Sequence, residues 1–167
     1  MSDLLLRDSK GRWQQVNFQA FEMSCGPACV AMVERIYKHL QRSDEQRALQ
    51  LSQKYPGQWT IDKGSYIYNL SSVLNAEGVK AYGATYVHYS GVRSYLAYYA
   101  SFGTPCIAQV NWYGGGSHFI VAAIHDSDDT FEFFDPFYGI VEQKGPDFPY
   151  YRGNAGYFNG WLVITHQ

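Results

Sequence analysis

Three residues far apart in the chain, Cys25, His118 and Asp135, have settings that suit nucleophilic chemistry. Cys25 stands where the polar stretch from Gln19 to Ser24 passes through Gly26-Pro27 into an apolar pattern of helical period, so its thiol lies at a helix start. Proline is tolerated there because first-turn amides have no intrahelical partner. Aligned peptide dipoles place partial positive charge at the same end, which favours thiolate over thiol. The turn also suits a small buried hydrophobe, the ordinary fate of a free cysteine. His118 follows Gly114-Gly115-Gly116-Ser117 and opens the apolar run FIVAAI. A triple glycine weakens a chain unless the turn needs unusual dihedrals or something passes close to the backbone, although a flexible hairpin would use the same residues. Asp135 closes the aromatic run FEFFD, and Pro136 turns the chain away. Its carboxylate can face a strand carrying His118 and fix the imidazole tautomer, but Asp-Pro is also a common turn start.

Other candidates read as ordinary. His39, His88, His125 and His166 sit at ends of helices, strands or the chain. Asp126, Asp128 and Asp129 fit a hairpin turn, since the glycine and the closing glutamate of a calcium loop are missing from their offsets. Cys25, Cys29 and Cys106 are an odd set without metal-ligand spacing and too few for a disulfide scaffold. The reading is therefore no metal, no cofactor and a reducing compartment.

The elements that must position these residues change character along the chain. Trp13 to Phe18 alternates in part and suits a short leading strand. From Ala28, the residues Cys29, Met32, Val33 and Ile36 recur at helical spacing with Glu34, Arg35 and Lys38 opposite, so one face of a helix is buried. Gln41 to Lys54 reads as a second, exposed helix closed by Tyr55-Pro56-Gly57, and Gly64 to Ala76 as a third closed by Glu77-Gly78. Val79 to Tyr89 reads as a strand, and Ser90 as the cap of a helix from Val92 to Phe102. After Cys106 the runs Ile107 to Trp112, Phe119 to Ile124, Thr130 to Asp135 and Trp161 to Thr165 are β-rich and separated by turn residues. Helices grouped before strands predict an α+β domain, an N-terminal helical half packed face to face on a C-terminal antiparallel sheet with a groove between them.

A length of 167 residues suits one domain over 1–167. The net charge of −2 offers no basic face for nucleic acid or an anionic membrane. The aromatic share of 17%, with 15 Tyr, implies an aromatic core or a cleft lined with rings. The start has only a three-leucine run before charges appear, too short for a secretory core, and no stretch is long enough to span a membrane. The expected location is cytoplasmic, or outside the cell by a specialised export system.

Taken in order, Gln19, Cys25-Gly26-Pro27-Ala28, Gly115-Gly116-Ser117-His118-Phe119 and Asp135-Pro136 with Gly139 resemble the motifs of papain-like cysteine peptidases. Among these they resemble the double-glycine leader peptidases that process bacteriocin precursors, and their stand-alone relatives. Gly103-Thr104-Pro105, opening a strand that reaches Val110-Asn111-Trp112, fits the same pattern. Asp135 places the chain nearer this branch than papain itself, whose third member is usually asparagine. The extra Gly114 and the serine before His118 depart from the pattern. The resemblance implies a papain-like fold and a Cys25-His118-Asp135 triad with Gln19 donating to the oxyanion. It also implies a peptide or protein substrate approached past Trp112, Tyr113 and Ser117, with small residues such as Gly-Gly before the cut. The same chemistry leaves two alternatives open. One is a translocated bacterial effector or toxin acting as a glutamine deamidase, transglutaminase-like acyltransferase or cell-wall peptide amidase, with an inhibitor or immunity protein as partner. The other is an inactive peptide-binding module of the same fold.

Overall fold

The computed structural model describes residues 3–85 and 89–166, the side chains of residues 89 and 90 excepted. Strand β1 (Asp3–Arg7) pairs antiparallel with β2 (Trp13–Asn17), and the tight turn between them is held by Asp8, whose Oδ1 accepts from the backbone of Lys10 and Arg12. β2 matches the expected leading strand. β1 departs from the sequence reading because a leucine triplet has no alternation, and Leu4 and Leu5 lie exposed on this hairpin.

Helices α1 (Cys25–Lys38), α2 (Glu45–Ser52) and α3 (Ile67–Ala76) follow where the periodicity predicts them. Each has a physical stop or start. His39 ends α1 in the left-handed conformation at φ 53°, Asp44 caps α2 by accepting from the Arg47 amide at 3.0 Å, and Gly78 at φ 86° turns the chain out of α3. Strand β3 (Lys80–Thr85) and helix α4 (Tyr89–Ser101) come next. The expected strand to Tyr89 and helix start after a cap at Ser90 are corrected, since α4 already begins at Tyr89 and holds Ser90 within its first turn, while residues 86–88 lie outside the described residues.

The remaining strands are β4 (Cys106–Trp112), β5 (Ser117–His125), β6 (Thr130–Asp135), β7 (Gly139–Lys144), β8 (Tyr150–Tyr151) and β9 (Gly156–His166). All pair antiparallel in the order β3-β9-β4-β5-β6-β7, with β8 added beside β9. The sheet is therefore not confined to the C-terminal half, since β3 joins it from the helical half through β9. β7 and β8 are absent from the sequence reading. β7 (GIVEQK) has only a short apolar stretch, and β8 has two residues.

The layers carry more detail than the sequence reading. Ile107, Phe119, Val121, Phe134 and Val163 point into the core shared with α1 and α3, whereas Ala108, Val110, Ile120, Phe133 and Leu162 point into a second core shared with Val92 and Leu96 of α4. Helices of the N-terminal half pack on the sheet as expected, with α1 and α3 on one face and α4 on the other. The reason is in β4 and β5, where CIAQV and FIVAAI are apolar at both parities, so a strand there has two faces to bury. The resulting architecture is a mixed α/β fold with a large antiparallel sheet. It brings the start of α1, the β4–β5 turn and the turn after β6 to the walls of one groove.

Candidate functional site

Cys25 is the first residue of α1 and is half-buried. Helix α1 begins hard against the loop before α3. A Cβ on Gly26 would lie 2.7 Å from Ser65 Oγ and 2.8 Å from Leu70 Cδ2, which explains a glycine directly after the cysteine. Pro27 has no amide to lose in that first turn.

His118 is the second residue of β5, opposite Val110 of β4. The glycine run before it forms a hairpin turn, with Trp112 N–H donating to Gly116 at 2.9 Å and Gly115 N–H donating to Trp112 at 3.0 Å. Gly115 and Gly116 have φ of 104° and 87°, so the turn needs glycines for their dihedrals. His118 is buried, and its ring stacks on Trp112 with centroids 5.5 Å apart and planes inclined by 26°.

Asp135 ends β6 and is fully buried, yet every oxygen of its carboxylate has donors. Oδ1 accepts from His118 Nε2 at 2.7 Å and from the backbone of Phe137 at 2.8 Å and Tyr138 at 3.2 Å. Oδ2 accepts from the Tyr151 hydroxyl at 2.7 Å. Tyr151, on the short β8, is missed by the sequence reading. No spacing marks it, because it reaches Asp135 only after the chain has folded back through β7 and β8.

The electrostatics follow from these contacts. Burial opposes a charged imidazole, but the hydrogen bond to Asp135 and the interaction with nearby Cys25 outweigh it and push His118 up to about 10. With Nε2 turned to Asp135, Nδ1 is the ring nitrogen left for the thiol of Cys25. Burial likewise opposes the Asp135 carboxylate, and the His118 and Tyr151 hydrogen bonds overcome it, holding the group below the usual carboxylate range. Cys29 and Cys106 are buried, and desolvation pushes both thiols up, Cys106 to about 12.

Gln19 lies in the loop before Cys25, its amide N–H donating to Pro136 O at 2.9 Å and so tying this loop to the turn after Asp135. Both hydrogens of its side-chain Nε2 are engaged, by the carbonyls of Phe21 at 2.9 Å and Glu22 at 2.7 Å. An open groove of about 500 Å³ is lined by Gln19, Cys25, Trp112, Ser117 and His118 among others. Asp135 lies behind His118, and Tyr113 packs on Tyr157 and is not part of the lining.

Two clusters lie elsewhere. Asp126, Asp128 and Asp129 occupy the β5–β6 hairpin turn, where they meet Lys10, Arg12, Lys144, Arg93 and His125. Asp8, Glu132 and Glu142 bring carboxylate oxygens within 4.8 Å of one another, a grouping that could hold a cation, and Arg12 bridges Asp8 and Glu132 there.

No protein-family model matches the sequence, and no curated protein sequence is significantly similar to it. Solved structures do match the fold. One is a double glycine motif protease from an AMS/PCAT transporter, in complex with its leader peptide. It is 20% identical with a TM-score of 0.60, over 99% of this chain and 97% of that one. Another is the peptidase domain of Streptococcus mutans ComA, 14% identical with a TM-score of 0.57, over 91% of this chain and 98% of that one.

Proposed function

We propose that the chain is a cysteine peptidase using Cys25, His118 and Asp135, with a peptide or protein as substrate. The observation that carries this reading is buried Asp135 hydrogen-bonded to His118, whose ring lines the same groove as Cys25 at a helix start. The sulfur of Cys25 attacks a carbonyl carbon after giving its proton to His118, and the imidazolium returns that proton to the leaving amine. Asp135 fixes the tautomer and stabilises the imidazolium. Water then attacks the thioester, with His118 accepting its proton, and the carboxylic acid leaves. The oxyanion meets the amides at the start of α1. Gln19 joins them by releasing one of its loop carbonyls.

The groove supports small residues before the cut. Trp112 is held by His118 on one side and by Tyr138 and Tyr151, with centroids 6.3 and 6.0 Å away, so a bulky neighbour to the scissile bond must displace packed rings. Overpacking of that kind costs about 1–3 kcal/mol, roughly a ten- to hundred-fold preference.

Mass spectrometry of peptides carrying Gly-Gly, and the same peptides carrying Leu-Leu, after incubation with wild type, Cys25→Ala, His118→Ala and Trp112→Ala tests the reading. We expect cleavage after Gly-Gly, its loss in the first two variants, and relaxed selectivity in the third. Turnover by Cys25→Ala would remove the nucleophile. A one-dalton gain on glutamine-containing proteins without cleavage would move the assignment to the deamidase effector or toxin.

A further inference from the structure

The loop that delivers Cys25 is braced from outside the triad by a buried carboxylate. Glu45, the first residue of α2, is 7% exposed, and its Oε1 accepts from the Ala20 amide at 3.0 Å and from the Ser24 hydroxyl at 2.7 Å. Ser24 is fully buried and occupies the N-cap position of α1, where a serine ordinarily turns its oxygen onto the second or third amide of the helix. It does not do so here. Its ψ is 20° rather than extended, its hydroxyl points to Glu45 and accepts from the Phe21 amide at 2.9 Å, and it makes no capping bond.

The consequence falls on the first turn of α1. Among the described residues, the amides of Cys25 and Gly26 find no acceptor, Pro27 has none, and the first intrahelical bond is from Ala28 to the Ser24 carbonyl. Two N–H groups at the positive end of a 14-residue helix, those of Cys25 itself and of the next residue, are thus without an acceptor. A capping hydroxyl would consume one of them. The opposite side of the loop is already held by Trp59, whose Nε1 donates to Met23 O at 2.8 Å, and the Ser24 hydroxyl also meets the Phe21 amide and carbonyl at 2.9 and 3.0 Å, so Glu45, at 2.7 Å, is the side chain that draws Ser24 away from the helix.

We infer that Glu45 is a positioning residue for the oxyanion site: by claiming the Ser24 hydroxyl, it keeps the Cys25 and Gly26 amides free for the charge that develops on an attacked carbonyl. This rests on the peptidase reading above. Its mark is a defect in acyl transfer without a defect in sulfur reactivity, because alkylation of a thiol builds no oxyanion whereas acylation does.

The test compares two reactions of Cys25 in wild type, Glu45→Ala and Glu45→Gln. One is acylation by 4-nitrophenyl acetate, followed by release of nitrophenolate. The other is alkylation by iodoacetamide. Glu45→Ala should lower the acylation rate at least tenfold, while the alkylation rate and its pH profile stay within about twofold of wild type. Glu45→Gln should retain most of the acylation rate, because Oε1, which accepts from Ser24 and, more closely than Oε2 does, from Ala20, is an oxygen that an amide keeps. Wild-type acylation in Glu45→Ala, or a parallel fall of both reactions, would overturn the inference while leaving Cys25 as nucleophile. Failure of the peptidase reading would show differently, as acylation undiminished in Cys25→Ala.

Discussion

Asp135 illustrates how much of a site is decided by the partners of one carboxylate. It is fully buried, and His118, two backbone amides and Tyr151 surround it with donors. A hydrogen bond to a charged group contributes about 1.5–3 kcal/mol, so removing the Tyr151 hydroxyl should raise the Asp135 carboxyl toward its ordinary value. Tyr151→Phe should therefore keep the fold and some turnover, while the acid limb of its kcat/KM profile moves up by about one pH unit. An unmoved acid limb would mean that Tyr151 only fills space. Cys29 is the contrasting residue: one turn beyond Cys25 and fully buried, it faces the core, and Cys29→Ala should lower the melting temperature without lowering turnover per folded molecule.

The element that sets the groove is α1, whose first turn packs on the segment leading into α3. Gly26 is the contact point. A methyl group there meets Ser65 and Leu70 at less than 3 Å, and relief requires α1 and α3 to separate. Gly26→Ala should cost about 1–3 kcal/mol by overpacking and should also displace Cys25 from His118. Urea denaturation with a parallel activity assay separates these effects. A stable variant of full activity would show that the approach of α1 to α3 is not what holds the sulfur in place. The β4–β5 hairpin plays the equivalent role for His118, since Gly115 and Gly116 let the strand begin directly beneath Trp112.

Across the whole molecule, buried ionisable groups give stability a defined pH dependence. Burial and the neighbouring Asp8 push Glu132 up to about 8 from an ordinary 4.5, and His118 is raised from 6.5 to about 10. Groups raised in the folded state contribute stability below their unfolded pKa and lose it as pH climbs through the folded value. Stability should therefore decline from about pH 5 to pH 8 through Glu132, and onward to about pH 10 through His118. Asp135 is lowered, so its contribution is present above 3.8 and is lost below it. Glu132→Gln mimics the protonated carboxyl beside Asp8. The difference between urea midpoints at pH 5 and pH 8 should shrink in this variant, and an unchanged difference would assign the decline to other groups.

The candidate site residues Cys25, His118 and Asp135 are legible in the chain because their settings are local in origin. A cysteine before Gly-Pro at the onset of helical periodicity, a histidine after glycines at a strand start and an aspartate before a proline each follow from rules spanning a few residues. The same holds for α1 to α3 and for β4 to β6, whose periodicities are strong. What lay beyond such rules was decided by contacts between distant segments. Tyr151 meets Asp135 across 16 positions, Glu45 meets Ser24 across 21, and β3 enters the sheet by pairing with the end of the chain. The placement of α4 on the second face of the sheet has the same origin. Apolar residues on both parities of β4 and β5 state that two faces must be buried, but which helix covers each is fixed only when the whole chain closes.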